Sequence, residues 1–406
     1  MTMKTLRTLR IACLALALCG GTLIAWADAT KTEERLRPEI AKVLAAAQEL
    51  LRAAKPAEAL LLVRQAEAVK DPSPYEVFVV QRFIGAAAAG AGDTPAALLA
   101  YGRVVESGRL PKAEQLGLLE GMAGSALKQK DYPQAIQWAR RHVAEGGNSV
   151  DALQVLASAL YLTQDCAGAV ETLRTLTRAD EMQQRTSREV HLRMWADCER
   201  RLGNERGYRN VLMRILRNYP SPEVWADLIA RTRSTLPSSA GLELDVFRLM
   251  QAAGVLQAPE DLLDYANAAL RAGQPAEAEQ VLEAGFTAGQ PASAAQADTR
   301  AKLLDAARRG AAEDRRELSA VSVQGSPAKR LAAGRALVSL GQVDAGLALM
   351  ERAVAEGSLG DEARLTLGVA QWQTGRKRAA LESWAAVKTT DATADVVQLW
   401  MLLAKP

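Results

Sequence analysis

Between residues 117 and 148 the apolar positions fall in two short stripes with a polar break between them. Leu119, Met122, Ala123 and Ala126 recur at intervals of three, one and three, and Ala135, Ile136, Ala139 and Val143 follow at intervals of one, three and four after the break. That spacing places each set on one face of a helix. The break, KQKDYPQAI from Lys128 to Ile136, ends one helix, turns, and starts the next. Its Pro133 falls in the first helical turn, where a backbone N–H has no intrahelical partner. Thirty-four residues later the pattern returns as TQDCAGAV, with Asp165 for Asp131, Ala169 for Ala135 and Val170 for Ile136.

With Ala135 as a phase marker, equivalent positions appear at Ala59, Ala97, Ala169, Tyr208, Ala278, Gly346 and Ala380. The gaps from Tyr208 to Ala278 and from Ala278 to Gly346 are each close to two periods. Each therefore predicts a degenerate copy, one over 220–255 and one over 291–322. The second is expected to hold two helices, around AKLLDAARR and AEDRRELSAV. The count is about ten helix pairs. A small side chain at the marker lets paired helices approach closely, and a large one there would overpack the pair. One such unit cannot bury its apolar face alone, so neighbours must stack.

This period resembles the tetratricopeptide repeat, a helix–turn–helix unit of 34 residues. Ala123, Ala126, Tyr132, Ala135 and Ala139 match its consensus in one copy. Leu156, Ala157, Leu160, Ala169 and Leu173 match in the next, and Pro220 stands where the family closes a repeat. The resemblance spans roughly residues 33–390 and implies an all-α, right-handed superhelical solenoid over residues 30–406. The apolar C-terminal segment ADVVQLWMLLAKP is expected to cap it, or else to present Trp400, Met401 and Leu402 to a partner.

Composition narrows the class further. Aromatics are 4% of the chain against 49% apolar residues, with Ala and Leu prominent, which suits close-packed helices and not a strand-rich enzyme. The first 29 residues read as a secretory signal peptide. Lys4, Arg7 and Arg10 precede an apolar stretch from Ile11 to Ile24, and cleavage after Ala27 or Ala29 follows a small-x-small pattern. The expected location is therefore periplasmic or secreted. Membrane association would require that the leader be retained or that Cys19 be lipidated. Formal net charge is +3, and three of those charges leave with the leader, so a chain cut after Ala27 is near neutral. Nothing in that balance points to nucleic acid.

Candidate chemistry is sparse. The sequence has no phosphate-cradling glycine loop, GxSxG or HExxH. Its two histidines, His142 and His191, lack companions at metal-ligand spacing and are read as surface or packing residues. No catalytic, cofactor or metal site is assigned. Cys166 opens one helix and Cys198 lies late in the next, and antiparallel packing would bring them together. A disulfide and a pair of inert buried thiols both remain open.

The family resemblance implies that first helices line a concave groove. Carried over by position, it selects Gln154, Ser158 and Tyr161, then Arg193, Asp197, Arg200 and Arg201. Three arginines there would hold an acidic peptide or a carboxylate through charge-assisted hydrogen bonds. The family's Lys and Asn carboxylate clamp is not reproduced, since Asn267 alone matches one of its positions. The expected function is a non-enzymatic scaffold or adaptor for a protein or peptide of the bacterial cell envelope. A factor that binds or processes cell-wall glycan, or an enzyme's accessory subunit, is the alternative.

Overall fold

The computed structural model describes residues 34–256, 258–287, 293–318 and 325–404. The expected leader, with Cys19 and both expected cleavage sites, lies outside them. The described residues form 20 α-helices and no strand. They divide into two compact units, meeting between Asn204 and Glu205.

The first unit holds α1 (Pro38–Arg52), α2 (Pro56–Glu67), α3 (Pro74–Ala91), α4 (Thr94–Glu106), α5 (Lys112–Lys128), α6 (Tyr132–Ala144), α7 (Val150–Leu162), α8 (Cys166–Met182) and α9 (Glu189–Arg201). Each helix packs on the next, and α1 on α3 and α5 on α7 carry the stack across hairpins. The turns repeat one solution. Gly92, Lys130 and Gln164 take left-handed backbone conformations at φ 82°, 62° and 63°. The aspartate that follows each of them caps the next helix, accepting from the backbone N–H of Ala96, Gln134 and Gly168 at 3.1, 3.1 and 2.9 Å. KQKDYPQAI is thus a left-handed residue plus an aspartate cap. Behind the turns, Ala59, Ala135 and Ala169 are fully buried.

The second unit holds α10 (Glu205–Asn218), α11 (Pro222–Arg233), α12 (Ala240–Ala252), α13 (Pro259–Arg271), α14 (Pro275–Thr287), α15 (Ala294–Glu317), α16 (Pro327–Ser339), α17 (Val343–Ala355), α18 (Asp361–Gln373), α19 (Lys377–Ala385) and α20 (Ala392–Ala404). The degenerate copy over 220–255 forms the helices α11 and α12. The copy expected over 291–322 does not form two helices, because α15 runs unbroken through it. Gly310 is no turn here: a Cβ on it would meet Pro275 at 2.8 Å, so it serves a close helix approach. The pairs Lys302–Asp298 and Arg309–Asp305 brace the alanine-rich run one turn apart.

Within this unit the array returns on itself. Helix α20 packs against α10, α11 and α12, and α18 against α12. Trp400 is fully buried and donates from Nε1 to the backbone oxygen of Asp245 at 3.3 Å. Its ring lies 5.3 Å from that of Trp372 and 5.6 Å from that of Trp384. At the marker, Gly346 and Gly334 bring α17 and α16 into backbone contact. A Cβ on either would sit 2.5–2.6 Å from the other's carbonyl oxygen. Tyr208 is the exception to the small-residue rule; it stays half-buried and donates from its hydroxyl to Asp227 at 2.6 Å.

Candidate functional site

Helices α7 and α9 of the first unit carry all seven residues selected from the sequence as a binding face. Residues 193, 197, 200 and 201 lie three and four apart, so α9 presents them together. Arg200 and Arg201 both reach Asp197, with Nη2 of each 2.6 and 2.7 Å from its two carboxylate oxygens. From α7, the Tyr161 hydroxyl donates to the same carboxylate at 3.0 Å. The Arg201 guanidinium also stacks over the Tyr161 ring at 5.4 Å.

Arg193 stands one turn back, paired with Glu189 at 2.8 Å. Gln154 is met by Arg188 at 3.5 Å, and Ser158 is half-buried beside it on α7. The structure therefore unites Tyr161, Asp197, Arg200 and Arg201 in one cluster and leaves Arg193 and Gln154 at its edges. Arg193, Arg200 and Arg201 against Asp197 and Glu189 leave one net positive charge on the face. The arginines stay exposed while Asp197 is half-buried beneath them.

Electrostatics fixes that arrangement. Partial burial works against the charged form of Asp197, but the Arg200 and Tyr161 hydrogen bonds outweigh it and hold its carboxyl below the usual range. The same carboxylate raises Tyr161, chiefly through their hydrogen bond, and raises Arg201 through their attraction. Those directions keep Asp197 and Arg201 charged and Tyr161 neutral near neutral pH. The cluster can hold an anion, and it offers no group poised to move a proton.

Cys166 and Cys198 are free thiols, both buried. Burial and the adjoining Cys166 push the Cys198 thiol up to about 12, which leaves it a poor nucleophile. His142 and His191 are packing residues. His142 is buried with Nδ1 3.0 Å from the Leu116 carbonyl oxygen, and burial pulls His191 down. Among the described residues no three metal-ligating side chains gather, and no helix is long and apolar enough to cross a membrane.

The second unit contains a polar cluster that no motif announced. Arg248 on α12 donates from Nε to Glu277 Oε1 at 2.7 Å and from Nη2 to Glu277 Oε2, and from Nη1 to Asp245 Oδ1 at 2.7 Å. Tyr265 donates to Glu277 at 2.9 Å, and Thr366 to Asp245 at 2.7 Å. Burial opposes the charges on Arg248 and Glu277, yet their mutual attraction prevails, raising the first and lowering the second. The one sequence signal was Asp245 and Arg248 inside the otherwise apolar run LDVFRLM.

The tetratricopeptide-repeat family model matches residues 84–152 and 331–394, one segment in each unit. No curated protein matches the sequence. Among solved structures, residues 41 onward of MamA from Desulfovibrio magneticus RS-1 are 16% identical, with 50% of this chain and 100% of that one covered and a TM-score of 0.31. A tetratricopeptide repeat protein from Parabacteroides merdae is 11% identical over 80% of this chain and 99% of its own, at 0.29. The TPR2AB domain of yeast Sti1, in complex with pHSP90, is 12% identical over 72% and 100%, at 0.24.

Proposed function

Taking as premise that this chain is a tetratricopeptide-repeat protein, we propose that it is a non-enzymatic adaptor that holds an acidic peptide segment of a partner protein on the α7–α9 face. One observation carries the reading. Three exposed arginines are pre-positioned there by Asp197, Glu189 and the Tyr161 ring, with guanidinium edges left towards solvent. Pre-ordering long side chains lowers the entropy cost of binding. Guanidinium groups match carboxylates in fork geometry. The signal-like leader supports a place for the protein outside the cytoplasm, in the bacterial envelope.

The test is a crosslinked pull-down from envelope extract, with the Arg193/Arg200/Arg201 triple alanine variant beside the unaltered protein. An envelope protein retained by the unaltered chain and lost by the variant supports the adaptor role and this face. A partner held equally by both would move the site elsewhere. Release of soluble fragments from purified cell wall would sink the non-enzymatic reading. The location is tested separately, by the intact mass and cell fraction of the protein from its own cells; a retained leader in the cytoplasm would refute it.

A further inference from the structure

We infer that a cavity in the second unit, among α12, α13, α14, α16 and α18, is a binding site for a carboxylate on a short aliphatic stem, gripped by Arg335. The cavity has a volume of about 300 Å³. Arg335 lines it from α16 and is 92% buried. Neither its Nε nor its Nη2 has a hydrogen-bond partner among the described residues. The nearest carboxylate oxygen, Asp245 Oδ1, is 3.7 Å from Nη2 and already accepts from Arg248.

The geometry of the neighbouring arginine says what would fit. Nε and Nη2 form one flat edge of a guanidinium. Arg248 uses that same edge to hold both oxygens of Glu277. Arg335 presents the identical edge, buried and without an acceptor, and a buried donor left unpaired costs stability unless something satisfies it. A carboxylate is the group that meets such an edge with two parallel hydrogen bonds.

The rest of the lining sets the size and the charge. Val281, Val338 and Ala370 supply apolar wall for a few methylenes, and Gln251, Gln373 and Thr374 supply neutral polar contacts. The volume is at the small end for a ligand site, enough for a metabolite or one side chain. Glu277 and Asp245 already balance Arg248 and Arg335 in charge. A bound carboxylate would leave the site with one negative charge in excess and a phosphate dianion with two, so the singly charged group is the less costly of the two. Burial and the nearby Arg248 cation pull Arg335 down to about 10, so it remains charged at neutral pH.

Two sources could supply this group, a free small carboxylate or a glutamate side chain of a bound protein, and calorimetric titration of the full chain separates them. The probes are butyrate, its neutral isostere butyramide, and a short peptide carrying one Glu or its Gln counterpart. The expected result is binding of butyrate or of the Glu peptide but not of the neutral partner, with at least a tenfold loss in Arg335→Met. Butyrate binding would assign a free ligand; binding of the peptide alone would assign a protein side chain. Arg335→Lys keeps the charge and loses the flat edge, so it should fall between. Equal binding of butyrate and butyramide by the unaltered chain, binding that survives Arg335→Met, or no binding of any probe would each overturn the assignment. The comparison of charged and neutral probes needs no variant, so a misfolded mutant cannot rescue or sink it.

Discussion

Replacing Asp197 by Asn should weaken the first unit slightly and yet tighten its hold on an acidic peptide. The carboxylate sits beneath the arginines and accepts from Arg200, Arg201 and Tyr161 at 2.6, 2.7 and 3.0 Å. Exposed ion pairs contribute roughly 0–1 kcal/mol each, and a hydroxyl hydrogen bond about 1 kcal/mol. The folding cost is then about 1–3 kcal/mol, read as a lower urea midpoint. Binding moves the other way, because the substitution removes a negative charge from below the incoming one. A peptide carboxylate on the far edge of Arg201 would sit about 6 Å from Asp197. Two like charges at that distance repel by roughly 0.7 kcal/mol at the dielectric of water and roughly 3 kcal/mol at an effective value of about 20.

Affinity should therefore rise between about threefold and a hundredfold, with the lower figure at physiological salt. Fluorescence anisotropy of a labelled Asp/Glu-rich peptide at low and physiological salt measures it. Weaker binding by Asp197→Asn would refute the reasoning, since it would mean that Asp197's ordering of the arginines matters more than its charge. Unchanged affinity at low salt would mean that the peptide does not use this face at all.

Three further outcomes follow from the packing. Gly346→Ala should cost at least roughly 1–3 kcal/mol, because its Cβ meets two backbone atoms, the Gly334 carbonyl oxygen and the Val338 nitrogen, besides Val338 Cγ2; an unaltered urea midpoint would deny the close approach. Glu277→Gln strips Arg248 of its bidentate partner in a buried site and should cost about 3–5 kcal/mol, measured the same way, where a neutral result would deny the pair. The Arg37 hydrogen bond holds the buried Glu76 carboxyl down to about 2 from 4.5. A depressed carboxylate contributes fully above its unfolded value, so this contribution should fade as pH drops from about 4.5 towards 2. Glu76→Gln should flatten that part of a thermal-unfolding profile, and a profile matching the unaltered protein's would exclude the assignment.

The repeat was legible in the sequence because its causes are local. An apolar stripe at helical spacing, an aspartate that can cap the next helix, and a residue small enough to let two helices touch all act within a few dozen residues of themselves. Ala135, Asp131 and the turn before them could be placed from the sequence for that reason. The α7–α9 face was reached through the family resemblance, which assigns positions of first helices to a groove; helical spacing then sets Arg193, Asp197 and Arg201 on one side of their helix. That Asp197 would pair with two of the arginines is a short-range consequence of the same spacing, though the hydroxyl of Tyr161 arrives from a different helix.

Other features were decided only by tertiary structure. Helix α15 runs unbroken through an expected turn, with Gly310 inside it set close against Pro275 of the preceding helix. The cluster around Arg248 joins Asp245, Tyr265, Glu277, Arg335 and Thr366, and the contact from Trp400 to Asp245 spans 155 residues. No period or spacing encodes such a meeting. A charged side chain within an apolar run signals only that a partner must exist. Which side chain answers it, and that Arg335 is left with an edge unanswered, follows from how the last helices of the unit return over its first.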